Sequence, residues 1–312
     1  MAFLPPFTSY ITLETTMPAK QTNPMTMESY GGQALIEGIL MRGRKFLTAA
    51  FRLPDGNIRI VEEELTGIYK NKIRDIPFLR GLVILWDSLV LGMKYLTLSS
   101  NFQVGEEEEK IEGPALYLTL AVSLVFAIAI FFFLPTLLVQ LMYRVTSSNV
   151  LINFIEGLVR LIIMILYLWL IRKMDDIMRV FSYHGAEHKT ISAYEHGEKL
   201  ETSSIQKYST AHPRCGTSFL LSVAIISIIV FSLVSIPNIG LRLLSRIVLV
   251  PVVAMLSYEF IRFLGKHEEN SFVRFISKPN LALQKLTTNE PTDEMVEVAI
   301  AAFSRLLILE KQ

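Results

Sequence analysis

The sequence is poor in cysteine and in charged residues. Because Cys215 is the single cysteine, no disulfide can form within the chain, which excludes a disulfide-framed secreted domain. Charged residues make up 19% of the 312 residues, against roughly 25% in soluble domains. The net charge of +1 gives no positive field that would attract nucleic acid, so we expect no nucleic-acid partner.

The amino-terminal segment lacks the pattern of a secretory signal, in which a basic start precedes an apolar core. Residues 1–29 are instead rich in threonine and proline. We predict a mobile tail over this segment.

Long apolar runs set the predicted fold class. Hydrophobic residues make up 51% of the chain and the mean hydropathy is +0.42, which excludes a purely soluble enzyme and a disordered scaffold. About 20 apolar residues cross the ~30 Å of hydrocarbon in a bilayer. We predict an α-helical integral membrane protein with about four transmembrane helices, at Pro114–Tyr143, Val150–Ile171, Thr217–Ile236 and about Ile239–Leu264. The uncharged middle of the last run is short, so a re-entrant or protein-buried helix is an alternative there.

Charged residues inside two apolar runs need a partner. In the second span Glu156 and Arg160 lie four residues apart, so they share a helix face and can neutralise each other. Phe78–Ser100 is interrupted by Asp87 and Lys94, which favours an interfacial or protein-covered helix over a fifth span.

Basic residues predict the orientation. Seven lysines and arginines lie between the second and third predicted spans, and the two terminal regions are also basic. Four spans place these three regions on one side, which the positive-inside rule makes cytoplasmic. We therefore expect a multi-pass protein of the cell (plasma) membrane with both termini in the cytoplasm.

The predicted organisation has six segments. They are a tail (1–29), a cytoplasmic β-containing unit with an interfacial helix (30–110), a first transmembrane hairpin (111–173), a cytoplasmic loop with histidines and cysteine (174–216), a second transmembrane hairpin (217–264) and a cytoplasmic carboxy-terminal segment (265–312). A turn at Pro54–Asn57 between two apolar stretches predicts a hairpin in the β-containing unit. Pro291–Glu294 begins a carboxy-terminal helix, whose packing face is Val296, Ile300, Phe303 and Leu307.

The residues that point to chemistry are clustered in the central loop. His184 and His188 are four residues apart, so on a helix they present two imidazoles on one face. Glu195 returns to the same face, and Glu187 lies about 60° to one side. His-x-x-Glu-His is the spacing of the inverted zinc-peptidase motif, in which the histidines bind metal and the glutamate activates water.

A second element, His212 and Cys215, precedes the third predicted span. Imidazole and thiolate are both good zinc ligands. We predict a divalent metal, zinc, bound by His184 and His188 with a third ligand from His212, Cys215, Glu195 or Glu259, and Glu187 as the catalytic base. The alternatives are a histidine cluster that only forms hydrogen bonds, and a Cys215 that is a packing residue or a nucleophile.

The glycine-rich segment Gly31–Gly43 carries Gln33, Glu37 and Arg42 among apolar residues. It predicts a tight strand and turn with a Glu–Arg pair, while the more specific hypothesis is that it covers the histidine cluster or grips a substrate.

Six motifs together resemble the YqhQ family of bacterial membrane proteins. They begin at Gly31, Phe78, His184, His212, Ser257 and Gln284 and read GGQALIEGILMRG, FLRG, HGAEHK, HPRCGTS, SYEF and QKLTT. The resemblance covers about Gly31 to Leu306. It implies a family for which metal-dependent enzymatic activity has been suggested, and it points to His184, Glu187, His188, His212, Cys215 and Glu259, with Glu37 as a further position.

Three function classes follow from these patterns. The first is a metal-dependent hydrolase that acts on a membrane protein, peptide or lipid at the cytoplasmic face. The second is a non-catalytic assembly or scaffold protein with a closed structural metal site. The third is a transporter, indicated by charged residues within or near the spans. Each class leaves room for oligomerisation in the bilayer.

Overall fold

The computed structural model describes residues 30–65, 76–104, 113–212, 215–234, 236, 238–267 and 269–311. The tail predicted at 1–29, the acidic run Glu106–Glu109 before the first predicted span, and residues 213 and 214 lie outside these ranges.

The amino-terminal unit is a four-stranded antiparallel sheet in the order β1-β2-β3-β4. Its strands are β1 Gly31–Leu35, β2 Gly38–Arg42, β3 Phe46–Arg52 and β4 Ile58–Glu64. The predicted hairpin is confirmed: Gly56 has a φ of 86° in the turn between β3 and β4, where the Leu53 N–H donates to the Asn57 carbonyl at 2.9 Å. Glycine adopts this positive φ without steric cost.

The rest of the described chain is mainly helical. The helices are α1 Leu79–Gln103, α2 Pro114–Ile128, α3 Leu134–Val139, α4 Asn149–Ile171, α5 Asp175–Glu195, α6 Thr202–Ile205, α7 Thr217–Ser232, α8 Ile239–Lys266, α9 Ser271–Thr287 and α10 Asp293–Glu310. A π-helical turn, Ala129–Phe133, joins α2 to α3, and a 3₁₀ turn, Gln140–Arg144, follows α3.

Four helical segments of the described chain are long and apolar enough to cross a membrane: Leu79–Gln103, Pro114–Met142, Asn149–Ile171 and Ile239–Lys266. This is compatible with a multi-pass membrane protein, but the set differs from the predicted one. The helix expected over Thr217–Ile236 ends at Ser232 after 16 residues, about 24 Å. The apolar run continues beyond Ser232, so the length of the run does not give the length of the helix here.

Helix α1 is long and apolar enough to cross a membrane although two charges interrupt it. The sheet supplies the partners of both charges. Asp87 pairs with an arginine of β2, Arg42, at 2.8 Å, and Lys94 pairs with Glu63 of β4 at 2.6 Å. Beside them, the buried side chains of Leu91 and Tyr95 belong to the apolar cluster on this face of the sheet. The second half of α1 is therefore covered by protein on one side.

The opposite face of the sheet holds α10, as the carboxy-terminal pattern predicts. Thr292 caps α10 by accepting the Met295 N–H, and Val296 and Phe303 are fully buried. The Thr48 hydroxyl of β3 donates to the Ala302 carbonyl at 2.7 Å. The same core continues onto α5, so α5 is fixed between the sheet and α10.

Candidate metal centre

Helix α5 is the platform of the candidate site. It runs unbroken from Asp175 to Glu195, which confirms the helical placement of His184 and His188. Gly185 does not interrupt the helix but makes room: a Cβ atom there would overlap the backbone carbonyl of Asn289. The absence of a side chain at Gly185 thus lets the α9–α10 connection lie directly against α5.

Three side chains converge at this place, from two distant parts of the chain. His184, His188 and Cys215 each offer a ligand atom, and the three atoms lie within 4.8 Å of one another. His184 Nε2 is 3.2 Å from Cys215 Sγ. His188 and Cys215 are buried, with 2% and 6% of their surface exposed, whereas His184 is half-buried.

Backbone carbonyls fix the orientation of both imidazoles. His184 Nδ1 lies 2.8 Å from the Thr287 carbonyl oxygen, and His188 Nδ1 lies 2.5 Å from that of Thr210. Since a carbonyl only accepts, each Nδ1 carries the proton and each Nε2 has a free lone pair. Metal-binding histidines are typically held in this way by the nitrogen that does not bind the metal.

The donor set fits a zinc ion. His188 Nε2 is buried and has no hydrogen-bond partner in the described part of the chain, which is costly unless another group satisfies it. Zinc bonds of about 2.0–2.3 Å place tetrahedral ligand atoms roughly 3.3–3.6 Å apart. The three ligand atoms lie within 4.8 Å of one another, a looser grouping than a bound ion would impose.

Cys215 is positioned by the start of α7. Its Sγ accepts a hydrogen bond from the Thr217 backbone N–H at 3.3 Å and lies 3.1 Å from the Thr217 hydroxyl. The cysteine is thus tied to the first turn of α7 as well as to His184.

Glu187 lies on the other side of the histidines, against the sheet. A Cβ atom at Gly32 of β1 would come within 2.9 Å of the Glu187 side chain, and the Gly32 N–H donates to its carboxylate. Burial raises the pKa of Glu187. The glycine-rich strand therefore contacts Glu187, the predicted base.

His212 and Glu195 form a pair of their own beside the three convergent side chains. His212 Nε2 is 3.2 Å from Glu195 Oε2, and the His212 ring centroid is 5.7 Å from that of His188. Gln284 of α9 clamps the His212 backbone by accepting its N–H and donating to its carbonyl, each at 2.9 Å. Gln284 begins the QKLTT motif, for which the sequence predicts no role. The amide of Gln284 within that motif was the signal that could have indicated its contact with His212.

The remaining predicted acids are bound by arginines elsewhere. Glu259 accepts both hydrogen bonds of a bidentate pair with Arg80 of α1, together with the Phe78 N–H at 3.0 Å. Glu37 pairs with Arg179 of α5 at 2.6 Å and 2.7 Å.

The Glu–Arg pair expected inside the glycine-rich segment is therefore made to α5 instead. Glu37 occupies the β1–β2 turn with a φ of 49°, a left-handed conformation that points to a constrained site. Burial raises the pKa of Glu37, but the hydrogen bonds and charge of Arg179 and the hydroxyl of Tyr183 outweigh it, and the pKa is lowered.

Comparisons with known proteins agree on one family. The family described as "Protein of unknown function (DUF1385)" matches residues 76–308. The "Uncharacterized protein YqhQ" of Bacillus subtilis (strain 168) is 36% identical over 296 residues, which cover 90% of this chain and 93% of that protein. No solved structure matches the chain. The resemblance of the motifs is thus confirmed, and the chain belongs to the YqhQ family.

Proposed function

We propose that this protein is a membrane-embedded, metal-dependent hydrolase that works at the cytoplasmic face of the cell membrane. One observation carries the proposal: His184, His188 and Cys215 bring three ligand atoms within 4.8 Å of one another, and two of the three side chains are buried. In metal sites, the histidine ligands are typically held in place by a hydrogen bond from the ring nitrogen that does not bind the metal.

Three protein ligands favour catalysis over a purely structural role. Structural zinc sites are closed by four protein ligands, whereas catalytic sites keep one position open. His184 is the half-buried member and marks the side from which a substrate reaches the centre. When bound, zinc supplies a Lewis acid that polarises a carbonyl or phosphoryl group and activates water.

Glu187 is the proposed proton acceptor. Burial raises the pKa of its carboxyl, which is the direction expected of a carboxylate that acts as a general base. The Gly32 N–H holds the carboxylate on the β1 side of the histidines. His212, paired with Glu195 and clamped by Gln284, positions the segment that leads into Cys215.

The position of the site along the helices supports a substrate at the membrane surface. Cys215 directly precedes α7, and the basic stretch before it favours the cytoplasmic side. A membrane protein, a peptide or a lipid would present its scissile bond at this depth.

Glu187→Gln tests the proposal most sharply. Purified wild type, loaded with zinc, is incubated with detergent-solubilised bacterial membranes, and released peptides and lipids are compared by mass spectrometry. We expect Glu187→Gln to bind zinc like wild type while product formation falls by about 10²-fold or more. Glu198→Gln, an exposed acid beyond the end of α5, is the matched control and should keep full activity.

Two results would contradict this reading. If Glu187→Gln released the same products as wild type, Glu187 would not be the base. If zinc-loaded wild type and Glu187→Gln were both inert towards every membrane component, the ion would have a structural role, as in an assembly or scaffold protein.

A further inference from the structure

Helix α9 packs against the protein through one face and leaves two chemically different surfaces exposed. On a helical wheel of about 100° per residue, its buried side chains lie within about 60° of Asn280. They are Val273, Asn280, Leu283, Gln284 and Thr287. Leu283 belongs to an apolar cluster with Leu168 of α4 and Leu221 of α7, so this face fixes α9 beside those two helices.

The first exposed surface of α9 is basic. The helix contains Arg274, Lys278 and Lys285 and no acid. All three side chains are exposed, and they lie about 120–160° from Asn280 on the same wheel. Arg274 donates to the Ser271 hydroxyl at 3.3 Å, so its guanidinium stays close to the helix. The basic surface is therefore a single stripe along α9.

The second exposed surface is apolar and adjoins the basic stripe. Phe272 and Phe275 are 69% and 65% exposed, and Pro279 and Ala282 are also exposed. These four residues lie about 80–160° from Asn280 in the opposite direction. The helix of a soluble domain instead turns its apolar stripe towards the core and its charges towards water. Here apolar and basic surfaces meet on the side of α9 that faces away from the protein.

The neighbouring helices place α9 at the level of a membrane surface. Helix α8 is long and apolar enough to cross a membrane, and only four residues separate it from α9. At the end of α4, which also meets this criterion, the Lys173 ammonium lies 3.5 Å from the centroid of the Trp169 ring. Arg172 donates to the Lys285 carbonyl. Tryptophan and basic residues at the end of a span are typical of the bilayer interface.

We propose that α9 lies on the bilayer surface and binds anionic phospholipid. Its apolar surface contacts acyl chains, and Arg274, Lys278 and Lys285 contact the headgroup phosphates. Charge complementarity selects this occupant: a helix with three cations and no acid repels a second copy of itself, whereas an anionic headgroup joined to acyl chains matches both surfaces. The proposal shares the membrane placement of the proposed function but needs no metal ion, so either can fail without the other.

Competition between two lipids tests the surface. The full chain is purified in dodecyl maltoside and mixed with equal amounts of phosphatidylglycerol and phosphatidylcholine that carry the same acyl chains. Native mass spectrometry then counts the lipids retained. We expect phosphatidylglycerol to be preferred by about tenfold or more, because each basic residue near an anionic surface strengthens binding about fivefold. Equal retention of the two lipids would overturn the proposal.

Matched charge variants assign the preference to α9. The combined variant Arg274→Gln, Lys278→Gln and Lys285→Gln should reduce the preference for phosphatidylglycerol to about twofold or less. The control variant removes the same number of charges from exposed lysines on other parts of the chain and should keep the full preference: Lys199→Gln, Lys207→Gln and Lys311→Gln. A preference that the α9 variant retains in full would also overturn the proposal.

The exposed phenylalanines test the apolar surface and its alternative occupant, a second copy of the chain. The double variant Phe272→Ser and Phe275→Ser should bind phosphatidylglycerol about tenfold more weakly, and it should sediment in detergent like wild type. A wild-type dimer that this variant converts to a monomer would assign the surface to a second copy and contradict the lipid proposal.

Discussion

At the scale of single residues, the hydrogen bonds of the two histidines determine which ring nitrogen of each is left to bind a metal ion. Both Nδ1 atoms of the α5 histidines donate to carbonyls, so the Nε2 lone pairs are directed by the backbone. An α5 that shifts would therefore misplace both ligands together. The ion pair between Glu37 and Arg179 is one of the contacts that hold α5 in place.

The Glu37–Arg179 pair predicts a pH dependence of stability. The pKa of Glu37 is lowered in the folded protein from an ordinary 4.5, so its contribution is fully present above that value and is lost as the pH falls through the lower, folded-state pKa. Glu37→Gln should destabilise the protein by about 1 kcal/mol at pH 7, and the difference from wild type should shrink as the pH falls below 4.5. Denaturant unfolding in micelles measures both. A difference that stays constant down to pH 3 would show that the charge of Glu37 is irrelevant.

The residues that converge were predictable, but their division into two groups was not. Spacing alone placed His184, His188 and Glu195 on one helix face, and it offered His212 and Cys215 as equal partners. The fold joins Cys215 to the histidines and His212 to Glu195. That choice depends on Gln284, whose amide fixes the His212 backbone across 72 positions of sequence, a distance no local pattern reports.

At the scale of elements, α5 and its glycine show how the site is held. A residue of low helical propensity lies in the middle of the helix because the Asn289 carbonyl passes where a side chain would be. The local cost of glycine in a helix, about 1 kcal/mol relative to alanine, is thus offset by contact between α5 and the segment that leads into α10.

Gly185→Ala is expected to destabilise the protein by about 1–3 kcal/mol, because the new methyl group overlaps backbone rather than a flexible side chain. Gly265→Ala, in α8 with nothing within 4 Å of the added Cβ, is the control and should be neutral or slightly stabilising. Thermal unfolding of both variants measures the difference. Equal behaviour of the two alanine variants would mean that the Asn289 contact has no energetic weight.

Element lengths were harder to predict than element types. The hairpin of the sheet and the carboxy-terminal helix follow from turn residues and helical spacing. The short α7 and the long α1 do not, because apolar composition alone reports neither where a helix ends within a run nor that a sheet neutralises the charges of an interrupted run.

At the scale of the whole molecule, two polar clusters lie towards opposite ends of the apolar helices. The His/Cys site is found where α4 ends and α7 begins, and a buried arginine cluster (Arg160 and Arg246 with Glu156) lies between the beginning and the middle of α4 and α8. The positive-inside rule assigns the first end to the cytoplasm, although buried arginines also occupy the second. This makes the orientation worth testing on its own.

Single cysteines introduced into Cys215→Ser protein test the orientation. Val145, 79% exposed beyond the 3₁₀ turn, lies at the arginine end, and Lys311 lies just after α10. In intact spheroplasts a membrane-impermeant maleimide should label Val145→Cys, and it should label Lys311→Cys only after permeabilisation. The reverse pattern would place the His/Cys site outside the cell and overturn the assigned side.

The metal content of purified protein tests the central claim most directly. After exposure to zinc and removal of the excess, elemental analysis of wild type should find about one zinc ion per chain, and His188→Ala should lose it. The control is His267→Ala, an exposed histidine whose Nδ1 lies 2.9 Å from the Phe263 carbonyl oxygen, and it should retain the metal. Wild type without stoichiometric metal, or His188→Ala that keeps it, would contradict the proposed centre.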